Sequence, residues 1–294
     1  IGRITKEAAT AFRARVLMFY GNYGEALKDL KAVVESGSYE LVDDYEKLFN
    51  NATEGYMSKE SVFITLRSYI PSYTSGSVCP QMNVGRGIAG GWGGECPTKD
   101  LVDEYEVGDP RLVHTVLSSG DIFVKNDGSE EVHDYSGYDN FPQQHSRKQY
   151  PDFSRRPLND LLNTDWTHYH IRYADVLLML AEAYMNKGAL DTSIGYINQI
   201  RRRANLNDYS GPITKEGVFE DLVHQRAIEF FVEGERFYDL RRWGLLEQTL
   251  KTCDDTRYKN YQTGKSDNIN KFNYFPIPAK ELDTNPLCTP SEGW

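Results

Sequence analysis

Three carboxylates, Glu229, Glu233 and Glu235, stand close together in QRAIEFFVEGERFYDLRRWG. Paired acids are what glycoside hydrolysis needs, one of them with a raised pKa so that it holds its proton. Here Arg226, Arg236, Arg241 and Arg242 flank the acids. Guanidinium groups lower a neighbouring carboxyl's pKa, so structural ion pairs are the expected role. His168-Tyr169-His170 would place two imidazoles on one face of an extended segment, but no third ligand follows at metal-site spacing. Asn126-Asp127-Gly128-Ser129-Glu130-Glu131 has the flavour of a calcium loop without the full EF-hand spacing. GxSxG, Walker and HExxH motifs do not occur. The glycines from Gly85 to Gly94 do not sit between a strand and a phosphate-binding helix. The expectation is no catalytic residue, no metal and no cofactor.

What remains is a surface for binding. Tyr69, Tyr73 and Trp92 lie around the Gly-rich stretch, interleaved with Gln81, Asn83, Arg86 and Lys99. A sugar ring has an apolar face and hydroxyl edges; aromatics offer a platform to the first, and amide or cationic groups bond the second. Glycines let backbone approach a ligand closely. Trp92 equally fits a plug that seats the loop on the helices, and composition does not separate the two readings. Tyr supplies 20 residues, more than Phe (13) and Trp (4) together. Cys79 and Cys96 flank the loop and would either bridge it in an oxidising compartment or remain free thiols. None of the four cysteines forms a CxxC pair.

The elements that must position this loop are helical. Thr5 can cap a helix carrying Ala8, Ala11, Phe12, Val16 and Phe19 at helical spacing, and Gly21-Asn22-Tyr23-Gly24 turns the chain. A return helix from Glu25 to Val34 follows, stopped by Ser36-Gly37-Ser38. The pattern recurs: Ala14 aligns with Ala181, Gly21 with Gly188, Leu27 with Ile194, Leu30 with Ile197 and Val33 with Ile200. A small residue, a turn glycine and an aliphatic stripe mark tetratricopeptide-like hairpins, which must stack to bury their apolar faces. Two hairpins are fewer than a stable array needs. Together with an opening already in helical pattern and no signal peptide, this predicts a chain lacking its N-terminal part.

Between the hairpins, the pattern predicts a short helix around Asp43–Phe49 and a strand at Ser61–Arg67. A Thr98-capped helix to Tyr105 and strands at Leu112–Leu117 and Asp121–Lys125 are predicted next. A last helical region runs from Thr214 to Gly244 with Gly234 interrupting it. The tail Asn273-Tyr-Phe-Pro-Ile-Pro reads as extended, with Phe275 and Ile277 expected to be buried against helices. The longest apolar run, ADVLLMLAEAYM, is short of the ~20 residues a membrane span takes. A net charge of −10 and a pI near 5.2 argue against nucleic acid. Arg201-Arg202-Arg203 and Arg241-Arg242 are read as helix-end charges complementing the dipole.

These stretches resemble the SusD/RagB family of Bacteroidetes cell-surface glycan-binding lipoproteins. The resemblance rests on TKEAATAFRARVLMFYGNYGEAL, SGSYELVDDYEKLF, ESVFIT and GWGGECPTKDLVDEYEVGDPR. It continues through IRYADVLLMLAEAYMNKG, INQIRRRA, QRAIEFFVEGERFYDLRRWG and FPIPAKEL. It implies a mainly α fold: tetratricopeptide-like helical hairpins in an α-α superhelix, with a loop-rich insertion containing short β-strands. The organisation it predicts is one SusD-like domain over 1–294, truncated at its N-terminus. Within it, 1–38 is a first hairpin, 39–165 a ligand-presenting region, and 166–294 a second hairpin, a long helix and a tail. It implies non-catalytic capture of an oligosaccharide or polysaccharide at the outer-membrane surface and delivery to a SusC-like TonB-dependent transporter. The membrane would be reached through a lipidated N-terminus absent from this chain. The ligand residues expected on this basis are Trp92, Tyr69, Tyr73, Asn83 and Arg86. Two rival readings are a helical scaffold that binds peptide and a glycosidase using loop acids such as Glu95 or Asp100.

Overall fold

The structure, a computed structural model, describes residues 3–49, 57–67, 76–83, 91–124, 128–134, 144–148, 163–253 and 274–291. Helix α1 (Lys6–Phe19) starts where Thr5 Oγ1 accepts the Ala8 amide at 3.0 Å. That bond satisfies one of the donors a helix start leaves without a partner. Helix α2 (Tyr23–Glu35) is capped in the same way by Asn22. Between them Gly21 takes φ +71°, a left-handed conformation that costs a side-chain-bearing residue. Ala8, Ala11 and Ala14 are buried on α1 and let α2 approach with Ala26, Leu30 and Val33. Helix α3 is the short Glu46–Phe49.

Strand β1 (Ser61–Thr65) is followed by α4 (Cys79–Asn83), α5 (Lys99–Asp103) and α6 (Arg111–Thr115). Strands β2 (Val116–Ser118), β3 (Ile122–Val124), β4 (Glu130–Val132), β5 (Gln144–Ser146) and β6 (His168–Arg172) come next. Three antiparallel pairs form: β1 with β6, β2 with β5, and β3 with β4. Two-stranded ribbons are marginal alone, so these depend on what holds them to the helices. The strand expected at Leu112–Leu117 is corrected to a helix that yields to β2 only at Val116. Asp109 Oδ1 accepts the Arg111 amide at 2.9 Å and turns the chain into helix there. The same apolar spacing then serves one helical turn.

Strand β6 runs directly into α7 (Tyr173–Asn186), whose residues from Tyr173 to Ala183 are all buried. A helix buried on every side belongs in the middle of a bundle, and its buried Asp175 is paired with Arg15 and Arg226. Helix α2, helix α8 (Leu190–Arg203) and helix α9 (Lys215–Glu229) all pack on α7. The α7–α8 turn repeats the first hairpin, with Gly188 at φ +79° and Ser193 Oγ donating to the Ala181 carbonyl at 2.7 Å. The buried pairs Ala14/Ala181, Leu30/Ile197 and Val33/Ile200 match the alignment of the two hairpins. The architecture is mainly helical, built on paired helices with a small β insertion.

Helix α9 ends at Glu229, five residues before the expected glycine break. Val232 sits at φ +58° and Gly234 at φ +90° before α10 (Arg236–Arg242) begins. Helices α11 (Leu246–Thr252) and α12 (Ala279–Thr284) complete the described elements. The chain divides into two compact units, residues 1–97 with 101–235, and residues 98–100 with 236–294. In the second unit the expected burial of Phe275 is corrected: its ring is 93% exposed. Pro276 and Pro278 keep the segment extended, and it is the Phe275 carbonyl that is anchored, by Ser291 Oγ at 2.9 Å. Ile277 is half-buried. Among the described residues no helix is long and apolar enough to cross a membrane.

Candidate functional site

The turn carrying Trp92 is built on α4. The stretch leading into α4 is fixed first: Ser77 and Thr164 exchange backbone hydrogen bonds of 2.7 and 3.1 Å. The Gly76 amide donates to Asn163 Oδ1 at 2.8 Å. A Cβ on Gly76 would lie 2.4 Å from that oxygen, so the closeness requires glycine. Ser77 Oγ then accepts the Cys79 amide at 3.2 Å and starts α4. The Trp92 amide donates to the Gln81 carbonyl, and the Gly94 amide to the Met82 carbonyl, each at 2.8 Å.

This places Trp92 and Asn83 on one cap. Asn83 Oδ1 stands 3.2 Å from the position a Cβ on Gly94 would take. Trp92 is 56% exposed. Val78, just before α4, and Met82, within it, are also exposed. Gln81 serves the turn through its carbonyl, and Lys99 is exposed on α5. Tyr69, Tyr73 and Arg86 lie outside the described residues. Cys79 and Cys96 are free thiols, so backbone hydrogen bonds rather than a disulfide close this end of the loop.

The acids sought for catalysis are in a different place and a different state. Glu229 is fully buried and accepts from Arg172 Nη1 at 3.0 Å, Arg111 Nη1 at 3.1 Å, and Arg203. Glu233 accepts from Arg172 Nε at 2.7 Å and from Lys148. Arg172 also donates to Glu60 at 2.5 Å, and Arg111 to Asp109 at 2.7 Å. Arg111, Lys148, Arg172 and Arg203 thus balance Glu60, Asp109, Glu229 and Glu233 inside the protein. Burial pushes the Glu229 carboxyl up, but Arg203, Arg172 and Arg111 outweigh it and hold the pKa below the ordinary carboxylate range. Glu233 is lowered in the same way by Arg172 and Lys148 against the effect of burial. Burial brings Lys148 down to about 8. Neither carboxyl suits a general acid, which must hold its proton at neutral pH.

The cluster is a clamp. It joins the residue before β1, the turn into α6, the second residue after β5 and the β6–α7 junction to the end of α9 and the segment that follows it. A second balanced group, Arg15 and Arg226 with Asp175 and Glu235, ties α1 to α7 and to the chain beyond α9. The basic run at the end of α8 is likewise paired: Arg201 with Asp221 at 2.9 Å, Arg202 with Asp208 at 2.5 Å, and Arg203 with Glu229. The sequence singles out Glu229, Glu233 and Glu235 but gives no signal for Lys148 or Glu60, whose partners are remote in the chain.

His168 and His170 have ring centroids 4.7 Å apart, and His170 Nε2 lies 2.7 Å from Thr65 Oγ1. Among the described residues no group of three His, Cys, Asp or Glu side chains could hold a metal ion. Of the acidic run at 126–131, Asn126 and Asp127 lie outside the described residues, and Glu130 and Glu131 form part of β4.

Most of the region just described, from Glu60 onward, falls within residues 59–294, which match the sequence pattern of the SusD family. The chain belongs to the SusD family. It is 50% identical to a SusD superfamily protein of Bacteroides vulgatus, whose solved structure it matches with a TM-score of 0.80 over 100% of this chain and 63% of that one. A SusD-like carbohydrate binding protein of Bacteroides fragilis is 29% identical, with a TM-score of 0.70 over 85% of this chain and 54% of that one. The starch-binding protein SusD of Bacteroides thetaiotaomicron is 25% identical over 216 residues, which are 68% of this chain and 37% of that protein. The chain therefore spans less than two thirds of the length of each of these SusD-family relatives.

Proposed function

We propose that the protein captures an oligosaccharide or polysaccharide without cleaving it, using the turn that carries Trp92. The observation that carries this reading is Trp92, 56% exposed on a turn hydrogen-bonded to α4, in a chain of the SusD family. An indole face stacks on the apolar face of a pyranose, and Asn83, whose side chain lies against Gly94 of the same turn, offers both a donor and an acceptor to the hydroxyl edge. Tyr69, Tyr73 and Arg86 complete the proposed contact set. Two relatives support a carbohydrate as the ligand class, one described as carbohydrate binding and one as starch-binding.

In the same reading the hairpins α1–α2 and α7–α8 are tetratricopeptide units of an α-α superhelix, and residues 39–165 present the ligand loops. The protein works at the outer-membrane surface, held by a lipidated N-terminus, and passes its ligand to a SusC-like TonB-dependent transporter. The buried, arginine-paired state of Glu229 and Glu233 favours this over a glycosidase built on those acids. The test is isothermal titration of the full-length protein against a panel of soluble polysaccharides that includes starch, with released reducing sugar assayed in parallel. Binding without release supports the reading. Release of sugar, or affinity for a peptide and for no polysaccharide, overturns it.

A further inference from the structure

The turn under Trp92 is held from a third side. Cys96 Sγ lies 3.4 Å from the Gly93 carbonyl oxygen and 3.3 Å from His145 Nδ1. His145 is fully buried in β5, opposite the equally buried Leu117 of β2. A neutral thiol has one proton. Both contacts are satisfied together when that proton goes to the Gly93 carbonyl and the sulfur accepts a proton from the imidazole. A thiolate at this position would set a negative sulfur against the Gly93 oxygen. The geometry therefore selects the neutral thiol and the His145 tautomer protonated at Nδ1. Gly94 closes the turn from the other side, since a Cβ there would lie 2.8 Å from the Met82 carbonyl oxygen.

We propose that Cys96 and Gly94 are positioning residues for Trp92: the Gly93–Cys96–His145 chain of hydrogen bonds and the bare Gly94 backbone against Met82 lock the turn that presents the indole. The mount is thereby formed before any ligand arrives, and a ligand need not order it. The consequence for affinity rests on the glycan reading above; the consequence for the turn itself does not.

The experiment is amide hydrogen exchange at Trp92 and Gly94 in the wild-type chain and in Cys96→Val, Cys96→Ser and Gly94→Ala, with thermal unfolding of each. Nitrogen NMR of the histidine side chains runs alongside. Cys96→Val removes both hydrogen bonds at little change in volume and should speed exchange at the two amides about fivefold, the scale of one weak hydrogen bond. Cys96→Ser retains a donor and an acceptor and should recover much of the protection. Gly94→Ala should speed exchange at the same amides. His145 should appear as the Nδ1–H tautomer in wild type and lose that preference in Cys96→Val. Unchanged exchange in Cys96→Val, equal loss in the Ser and Val variants, or a wild-type His145 protonated at Nε2 overturns the assignment. Should Gly94→Ala fail to fold, the cysteine variants still decide it. These readouts need no ligand, so their failure is distinct from a failure to bind polysaccharide. Where starch or another member of the panel binds, its Kd should rise in Cys96→Val and return toward wild type in Cys96→Ser; equal weakening in both is the contrary result.

Discussion

Arg172 and Glu229 meet at 3.0 Å with both side chains fully buried, and each has further partners of opposite charge. Arg172 stands where β6 becomes α7, and Glu229 is the last residue of α9. The Arg172 guanidinium also lies 5.0 Å from the centre of the Phe230 ring. Charges taken this far from water are tolerable only when fully paired, so removing one leaves others exposed to a low dielectric. Glu229→Gln keeps the shape and removes the charge that three arginines share. It should destabilise the protein by about 3–5 kcal/mol, the range for breaking a buried ion pair. Urea denaturation of the variant measures this. A loss below about 1 kcal/mol would place the cluster with surface ion pairs and against the clamp described above.

The helical frame was largely legible from sequence because it is local. Thr5, Asn22 and Thr214 cap helices through bonds to residues three positions on, and the repeat of Ala14/Gly21/Leu30 as Ala181/Gly188/Ile197 needs only spacing. The clamp was only half legible. Acids between arginines predicted ion pairing, but Lys148 and Glu233 are 85 residues apart in the chain and Arg111 and Glu229 are 118 apart, and no local pattern encodes such meetings. The helix at Arg111–Thr115 was missed because Leu112, Val113, Val116 and Leu117 fit either period, and the deciding bond comes from the Asp109 side chain. Phe275 misled for a different reason. An aromatic just before a proline looks as if it needs cover, yet the segment is anchored by its backbone. For the candidate site, sequence gave residue types; the support of Trp92 by Gln81 and Met82 carbonyls is a backbone matter that types do not reveal.

Stability should fall as pH drops below about 6.5, the ordinary histidine value. His168 and His170 both have lowered pKa values, chiefly through burial; Arg15 adds to this in both, and His168 adds to it for His170. A histidine whose folded pKa is depressed binds its proton more readily when unfolded. The contribution is therefore fully present above the unfolded value and is lost as pH falls toward the folded one. Below about 4.5 a second loss begins, as Glu229 and Glu233, ionised and paired in the fold, are forced to accept protons. Melting temperature followed from pH 8 to pH 4 should show both limbs. Burial lowers His114 and His133 as well, so the double variant His168→Gln, His170→Gln should shrink the upper limb without removing it and leave the lower one; an unchanged upper limb would assign it to other groups.

The two hairpin turns make a matched pair for mutation. Gly21 and Gly188 hold φ of +71° and +79°, and a Cβ on either would meet no atom within 4 Å. Their need for glycine is thus purely conformational. Gly21→Ala and Gly188→Ala should each cost roughly 1–2 kcal/mol, and the double variant should cost the sum, because the sites share no partner. Chemical denaturation of the three variants tests this. A near-zero effect at either turn would show that the turn relaxes into a right-handed form.

Trp92 should carry its share of affinity through its ring face and not through its indole N–H. In the proposed mode the platform stacks on a sugar, so Trp92→Ala should weaken polysaccharide binding by on the order of 1–3 kcal/mol, taking aromatic–base stacking as the nearest analogue. Trp92→Phe keeps a smaller face and should fall between the two. The turn is hydrogen-bonded through the Trp92 and Gly94 amides, which both substitutions keep, so neither should lower the melting temperature appreciably. Calorimetry and thermal unfolding on the same three proteins separate the outcomes. Affinity lost with stability kept identifies a ligand platform. Stability lost with affinity kept would mean that the exposed indole braces the loop after all.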